Sequence, residues 1–201
     1  MKSSLMQPAI ALALVLGLSA CGGKATFPVG VTVSGLQYDG LVLSTNNMDL
    51  AVKPPAKAGD PVTASFGKSL DYGEPFEVKV TQNPAHQGCG YPLNDRSYFG
   101  TAGQLAQINV QITCALQAHT IGGPVSGLTA DGLVLANGST GGTVAVTKDM
   151  TTFTFPTTVT YGVSYGVTVL TQPAGQVCTV APNGTGVMGD ANVTDIVITC
   201  K

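Results

Sequence analysis

The stretch VSGLQYDGLVL at residues 33–43 returns as VSGLTADGLVL at residues 125–135. A chain that repeats itself folds as repeated units, and this narrows the fold before any other feature does. The echo runs well past the motif. Phe66, Leu70, Tyr72, Phe76, Val78 and Val80 correspond to Phe155, Val159, Tyr161, Tyr165, Val167 and Val169 at a constant offset of 89. TQNPAHQGC, ending at Cys89, answers TQPAGQVC, ending at Cys178, and NVQITC at 109–114 answers TDIVITC at 194–200. Two copies of one unit, expected over 30–115 and 120–201, fill most of the chain, joined through Ala115–Gly123.

Within a copy, no segment after Gly22 keeps apolar residues at spacings of three and four. With 26 Gly and 12 Pro, nearly every dozen residues is interrupted, so helices are excluded as the main element. A period of two recurs instead, in Phe76, Val78 and Val80, in Ile108, Val110 and Ile112, and in Val163, Tyr165, Val167 and Val169. That alternation marks half-buried strands. In the second copy the pattern predicts strands around Val125, at Leu133–Leu135, Thr143–Val146, Thr152–Phe155, Val163–Leu170, Val177–Val180 and Val193–Thr199. Turns fall at Asp131-Gly132, Asn137-Gly138, Gly141-Gly142 and Asn183-Gly184. The expected fold is all-β: two tandem antiparallel β-sandwich modules of about seven strands each. The order VSGL, DGLVL, F-x-F, then a glycine before an aromatic and V-x-V resembles two groups of bacterial envelope modules, the immunoglobulin-like and the transthyretin-like sandwiches. The resemblance implies an architecture and brings no active residue with it.

Setting Cys21 aside, the cysteines are Cys89, Cys114, Cys178 and Cys200, one pair per copy at equivalent places. Four cysteines allow three pairings. Repeat symmetry selects Cys89–Cys114 and Cys178–Cys200, because only then does each copy carry its own staple. Such bonds persist in an oxidising compartment. Closing a loop of about 25 residues contributes roughly 3 kcal/mol in the chain-entropy picture, a large share of the stability of so small a unit without tryptophan.

The N-terminus supplies an address. Residues 1–20 hold one charge at Lys2, an apolar run from Ala9 to Leu18, then small residues, the layout of a cleaved signal peptide. The run is half the length of about 20 residues that a spanning helix needs. Leu18-Ser19-Ala20-Cys21 resembles the lipobox of bacterial lipoproteins, which implies acyl chains on Cys21 and a tether over 21–29. Each buried methylene contributes about 0.8 kcal/mol, so two or three chains hold a protein firmly to a membrane. In such lipoproteins an aspartate after the cysteine retains the protein at the inner membrane. Gly22 stands there instead, which by resemblance favours the outer membrane.

Nine Lys and Arg against eleven Asp and Glu, with no basic run, exclude nucleic acid as a partner. No constellation calls for catalysis, a metal or a cofactor. Phe66-Gly67-Lys68-Ser69 ends like a phosphate loop but has Val62 where its first glycine belongs, and no helix pattern follows. His86 lies three residues before Cys89 in a ligand-like spacing, yet the second copy has Gly175 there. Only His86 and His119 exist as imidazole bases, and no G-x-S-x-G elbow is present. Glu74 and Glu77 are too few and too opposed to share a substrate. Asp190, Asn192 and Asp195 fit no calcium loop and read as a turn. The sequons at Asn137, Asn183 and Asn192 read as turns and strand edges.

The copies differ most after the first cysteine of each. The first copy carries GYPLNDRSYFGTAG, with Tyr91, Arg96, Tyr98 and Phe99, residue types enriched where proteins bind one another. This loop is the candidate interaction site, either as a contact surface or folded back over the end of the sandwich. The sequence therefore predicts a lipid-anchored envelope protein with a non-catalytic structural or adhesive role, its partner an envelope protein or a glycan. The alternative is a glycan- or small-ligand-binding surface lipoprotein.

Overall fold

The computed structural model describes residues 24–105 and 107–201. The signal peptide and Cys21 lie outside the described residues. Strands are short because Gly, Pro and Asn punctuate the chain. In the first copy they are β1 Thr26–Phe27, β2 Val29–Ser34, β3 Leu41–Thr45, β4 Met48–Val52, β5 Val62–Ser65, β6 Leu70–Asp71, β7 Pro75–Glu77, β8 Lys79–Gln82, β9 Gln87–Gly90, β10 Phe99–Thr101 and β11 Ile108–Leu116. In the second they are β12 Ala118–His119, β13 Gly122–Ser126, β14 Leu133–Asn137, β15 Thr143–Val146, β16 Thr152–Thr154, β17 Val159–Thr160, β18 Ser164–Thr171, β19 Cys178–Val180, β20 Thr185–Val187 and β21 Ile198–Cys200. One turn of 3-10 helix, Pro182–Gly184, interrupts them. The chain is all-β.

Both copies use the same pairing plan. One sheet runs β5-β2-β11-β9 in the first copy and β16-β13-β21-β19 in the second. The facing sheet runs β4-β3-β8 in the first and β15-β14-β18-β20 in the second. The long β18 corresponds to β7 and β8 together, which are parted at Val78, where the backbone N–H bonds the carbonyl of Tyr98 instead. Strand pairing is antiparallel except at one place in each copy. The first core strand and the last lie side by side in parallel, β2 with β11 and β13 with β21.

Alternation along these strands builds the core. In β2 the residues Val29, Val31 and Val33 are buried while their neighbours are not, as the two-residue period of a strand requires. They meet Leu41 and Leu43 of β3, Val110 and Ile112 of β11, and Phe66 and Phe76 in one apolar cluster. A separate cluster in the second copy gathers Leu133, Leu135, Phe153, Phe155, Ile196 and Ile198. Burying each such side chain contributes roughly 1.5–3 kcal/mol. Cys89 and Cys114 stand opposite each other across β9 and β11 and are bonded, as are Cys178 and Cys200 across β19 and β21.

The repeated VSGL motif acquires a reason. Gly35 has φ +75° and Gly127 φ +74°, and a Cβ built on either would lie 2.3 or 2.2 Å from the carbonyl oxygen of Cys114 or Cys200. Only glycine lets the chain leave the first strand so close to the last. A glutamine then fixes the loop. The side-chain oxygen of the fully buried Gln87 accepts from the N–H groups of Gln37 and Tyr38, and its amide donates to the carbonyl of Gly35. Gln176 repeats this with Thr129, Ala130 and Gly127.

Beside the parallel pairing of the first and last core strands, which departs from the antiparallel expectation, three smaller differences stand out. Of the expected Val193–Thr199 only Ile198–Thr199 is strand, running on to Cys200, while Val193 and Ile196 meet the first core strand through an isolated bridge at Ile121 and single hydrogen bonds to Gly122. Short elements such as β12, β17 and β20 are two or three residues long, too brief to carry a period. Strands β1 and β12 lie ahead of residues 30 and 120 and pair with β6 and β17 of their own copies. Gln117 alone then separates β11 from β12.

Replacing Gly35 by Ala is expected to lower stability by about 2 kcal/mol or more, from a left-handed φ and a clash with the Cys114 carbonyl together. Gly88→Ala, where a Cβ meets nothing within 4 Å, serves as the control. Urea midpoints of the two variants decide the matter, and equal midpoints would refute the close-approach account.

Candidate functional site

The loop after Cys89 leaves β9 at Gly90 and returns at β10, which pairs with β7. Its course is set by local hydrogen bonds. The N–H of Asp95 donates to the carbonyl of Pro92, and Asp95 Oδ1 accepts from the N–H of Ser97 at 2.7 Å. Asn94 takes φ +68° in this turn, a conformation asparagine tolerates better than most residues. Ser97 Oγ accepts from the N–H of Gln111 on β11, tying the loop to the core sheet.

The four aromatic and basic residues singled out in this loop separate into two groups. Tyr91 and Tyr98 stack face to face, with centroids 4.0 Å apart and planes at 14°, and both pack half-buried against the first core. The Tyr91 hydroxyl donates to the carbonyl of Val78. The stack covers one face of each ring, and both fold back against the first core. Phe99 stands edge-on to Tyr98 at 4.8 Å and is 46% exposed. Leu93 at the loop tip is 93% exposed, and Arg96 between them is exposed too. Leu93, which sequence reasoning passed over, has no partner-free signal in the chain except its place in a turn.

Elsewhere the candidate groups are engaged in structure. Cys89 is in its disulfide and His86 turns away from it toward the second copy. Phe66 is buried, and β6 follows it where a phosphate loop would need a helix. Glu74 accepts from the Asn46 side chain and the Asp71 N–H, while Glu77 pairs with Lys79 at 3.0 Å. Asn192 accepts from the Thr120 N–H, and the Asn183 amide donates to the Asp195 carbonyl. Asn137 is buried, with its side chain accepting from the Gly166 N–H. His119 in β12 keeps a buried Nε2 without a hydrogen-bond partner. Among the described residues no three of His, Cys, Asp and Glu converge on a common point, and no helix is long and apolar enough to cross a membrane.

Fold and loop together define a pair of cystine-closed β units with a small protruding apolar and basic tip. No family model matches the chain, and no curated protein matches it in sequence. Among solved structures it is similar to the major pilin protein from Streptococcus pyogenes, at 10% identity and a TM-score of 0.27, over 89% of this chain and 97% of that one. A likeness of that size leaves function to be argued from the residues themselves.

Burial, with the Glu77 carboxylate and then Tyr98 beside it, holds the Tyr91 hydroxyl above the usual tyrosine value of 10.0. A folded-state value above the unfolded one means the stabilisation is complete below pH 10 and is lost as pH rises through the folded value. Urea midpoints are therefore expected to fall as pH rises above about 10. Tyr91→Phe should start lower by about 1 kcal/mol, having lost its hydrogen bond, and decline less steeply. Identical slopes would show that Tyr91 is not the titrating group.

Proposed function

We propose that this chain is a lipid-anchored protein of the bacterial cell envelope, held at the outer membrane through acyl chains on Cys21, with a non-catalytic structural or adhesive role. The observation that carries this reading is the spacing between anchor and fold. The tetrad ending at Cys21 is followed within five residues by β1, which is already paired to β6. A tether so short keeps the first sandwich beside the bilayer, as a spacer or contact element requires. The staples suit an oxidising compartment, and the polar side chains of the turns are consumed in holding the fold.

A protein partner is favoured over a glycan because Tyr91 and Tyr98 cover each other and the core, while Leu93, Phe99 and Arg96 remain outside. Exposed apolar residues beside an arginine suit a protein surface.

Cys21→Ala is expected to abolish incorporation of labelled palmitate and to release the protein from the membrane pellet. Retention of label would remove the anchor from the reading. Leu93→Ser with Phe99→Ser is expected to cut crosslinking to an envelope protein in intact cells by tenfold or more at unchanged thermal stability. Undiminished crosslinking would place the contact elsewhere.

A further inference from the structure

The place where the two copies meet is also where their sequences depart from the shared pattern. His86 has φ +61°, and its counterpart Gly175 has φ +72°. The turn asks for glycine, as the second copy shows, so a histidine in the first is held there against a backbone preference. Its ring leaves its own copy. It stacks on Tyr161 with centroids 3.9 Å apart and planes at 10°, and Nδ1 lies 2.7 and 2.8 Å from the two carboxylate oxygens of Asp190. Tyr38 closes the cluster edge-on, 4.9 Å from His86 and 6.2 Å from Tyr161.

The second copy is an internal control for each of these residues. Where the first has Tyr38 and His86, the second has Ala130 and Gly175. Tyr161 corresponds to Tyr72, which is 73% exposed at the far end of the first copy, and Asp190 corresponds to Gln104. The cluster is thus absent from the shared plan and present only at the junction. The backbone reinforces it. The N–H of Gln117 donates to the carbonyl of His86, and its carbonyl accepts from the N–H of Tyr161, so the one connecting residue is bonded on both sides. Of the ion pairs among the described residues, only His86 with Asp190 crosses between copies.

We propose that Tyr38, His86, Tyr161 and Asp190 form a directional latch that fixes the two copies in one orientation, so that the pair moves as a single body. A one-residue connection limits the distance between the copies. It does not by itself choose their angle. A flat imidazole clamped between a phenol ring and a carboxylate does, because stacking sets the plane and the hydrogen bond sets the rotation within it. The latch is independent of the anchor and concerns geometry between copies alone.

Amide hydrogen exchange on the full chain in mild detergent tests this. The amides of Gln117 and Tyr161 report opening of the junction, and those of Val110 and Val167 report the two cores. His86→Gly installs the residue that the second copy carries at the same φ, so both cores are expected to keep wild-type exchange. The Gln117 and Tyr161 amides are expected to exchange about tenfold faster. Asp190→Asn, exposed and isosteric, is expected to speed them several-fold, and to add nothing in the His86→Gly background. Wild-type rates at both amides in His86→Gly would overturn the latch. So would an effect of Asp190→Asn that persists in full once His86 is gone, because the two residues would then act separately.

Discussion

Each copy is closed by its last strand. Strand β11 lies in parallel beside β2 on one edge and is bonded through Cys114 to β9 on the other, and β21 does the same with β13 and β19. The ends of a unit are joined only after the whole of it has been traversed, which makes this the contact with the highest loop-closure cost. Everything else serves that closure. The glycine of VSGL removes a side chain so that the first strand can turn away beside the last, and the glutamine before the first cysteine, Gln87 or Gln176, ties down the loop that follows. The disulfide then restricts the unfolded chain to arrangements in which the last strand already lies near β9 in the first copy and β19 in the second.

The short strands also explain why several polar side chains among the described residues are taken up by the backbone. Short strands create many turns, and each turn leaves backbone groups that must find partners. Gln87, Gln176, Asn46, Asp95, Asn137 and Asn192 supply them. A charged fraction of 10% leaves little over. Among the described residues, the tip of the loop after Cys89 is one of the places where apolar side chains stand exposed. The proposed role, a tethered element that touches a partner, draws on it.

Duplication usually gives two copies the freedom to diverge, and here divergence has gone into one loop and one junction. The second copy keeps glycine and alanine at the positions where the first carries histidine and tyrosine. The first copy in turn leaves Tyr72 exposed where the second has a stacked Tyr161. An interface made from such differences has a direction, because the two ends of a unit no longer match.

The sequence by itself determined the all-β class, the twofold repeat and the facing of most strands, because an alternating apolar period and turn residues are local signals. Cystine pairing was legible from repeat symmetry for the same reason: equivalent positions in equivalent units meet equivalent partners. Whether Tyr91 and Tyr98 face outward or fold back was left open by the sequence, and no signal in it showed that Gln87 would be fully buried or that β2 and β11 would run in parallel. His86 read as a stray near a cysteine, although its real partners are 75 and 104 residues away. Those outcomes belong to the tertiary structure because each depends on which distant backbone arrives at the other side of a contact. No local period records that.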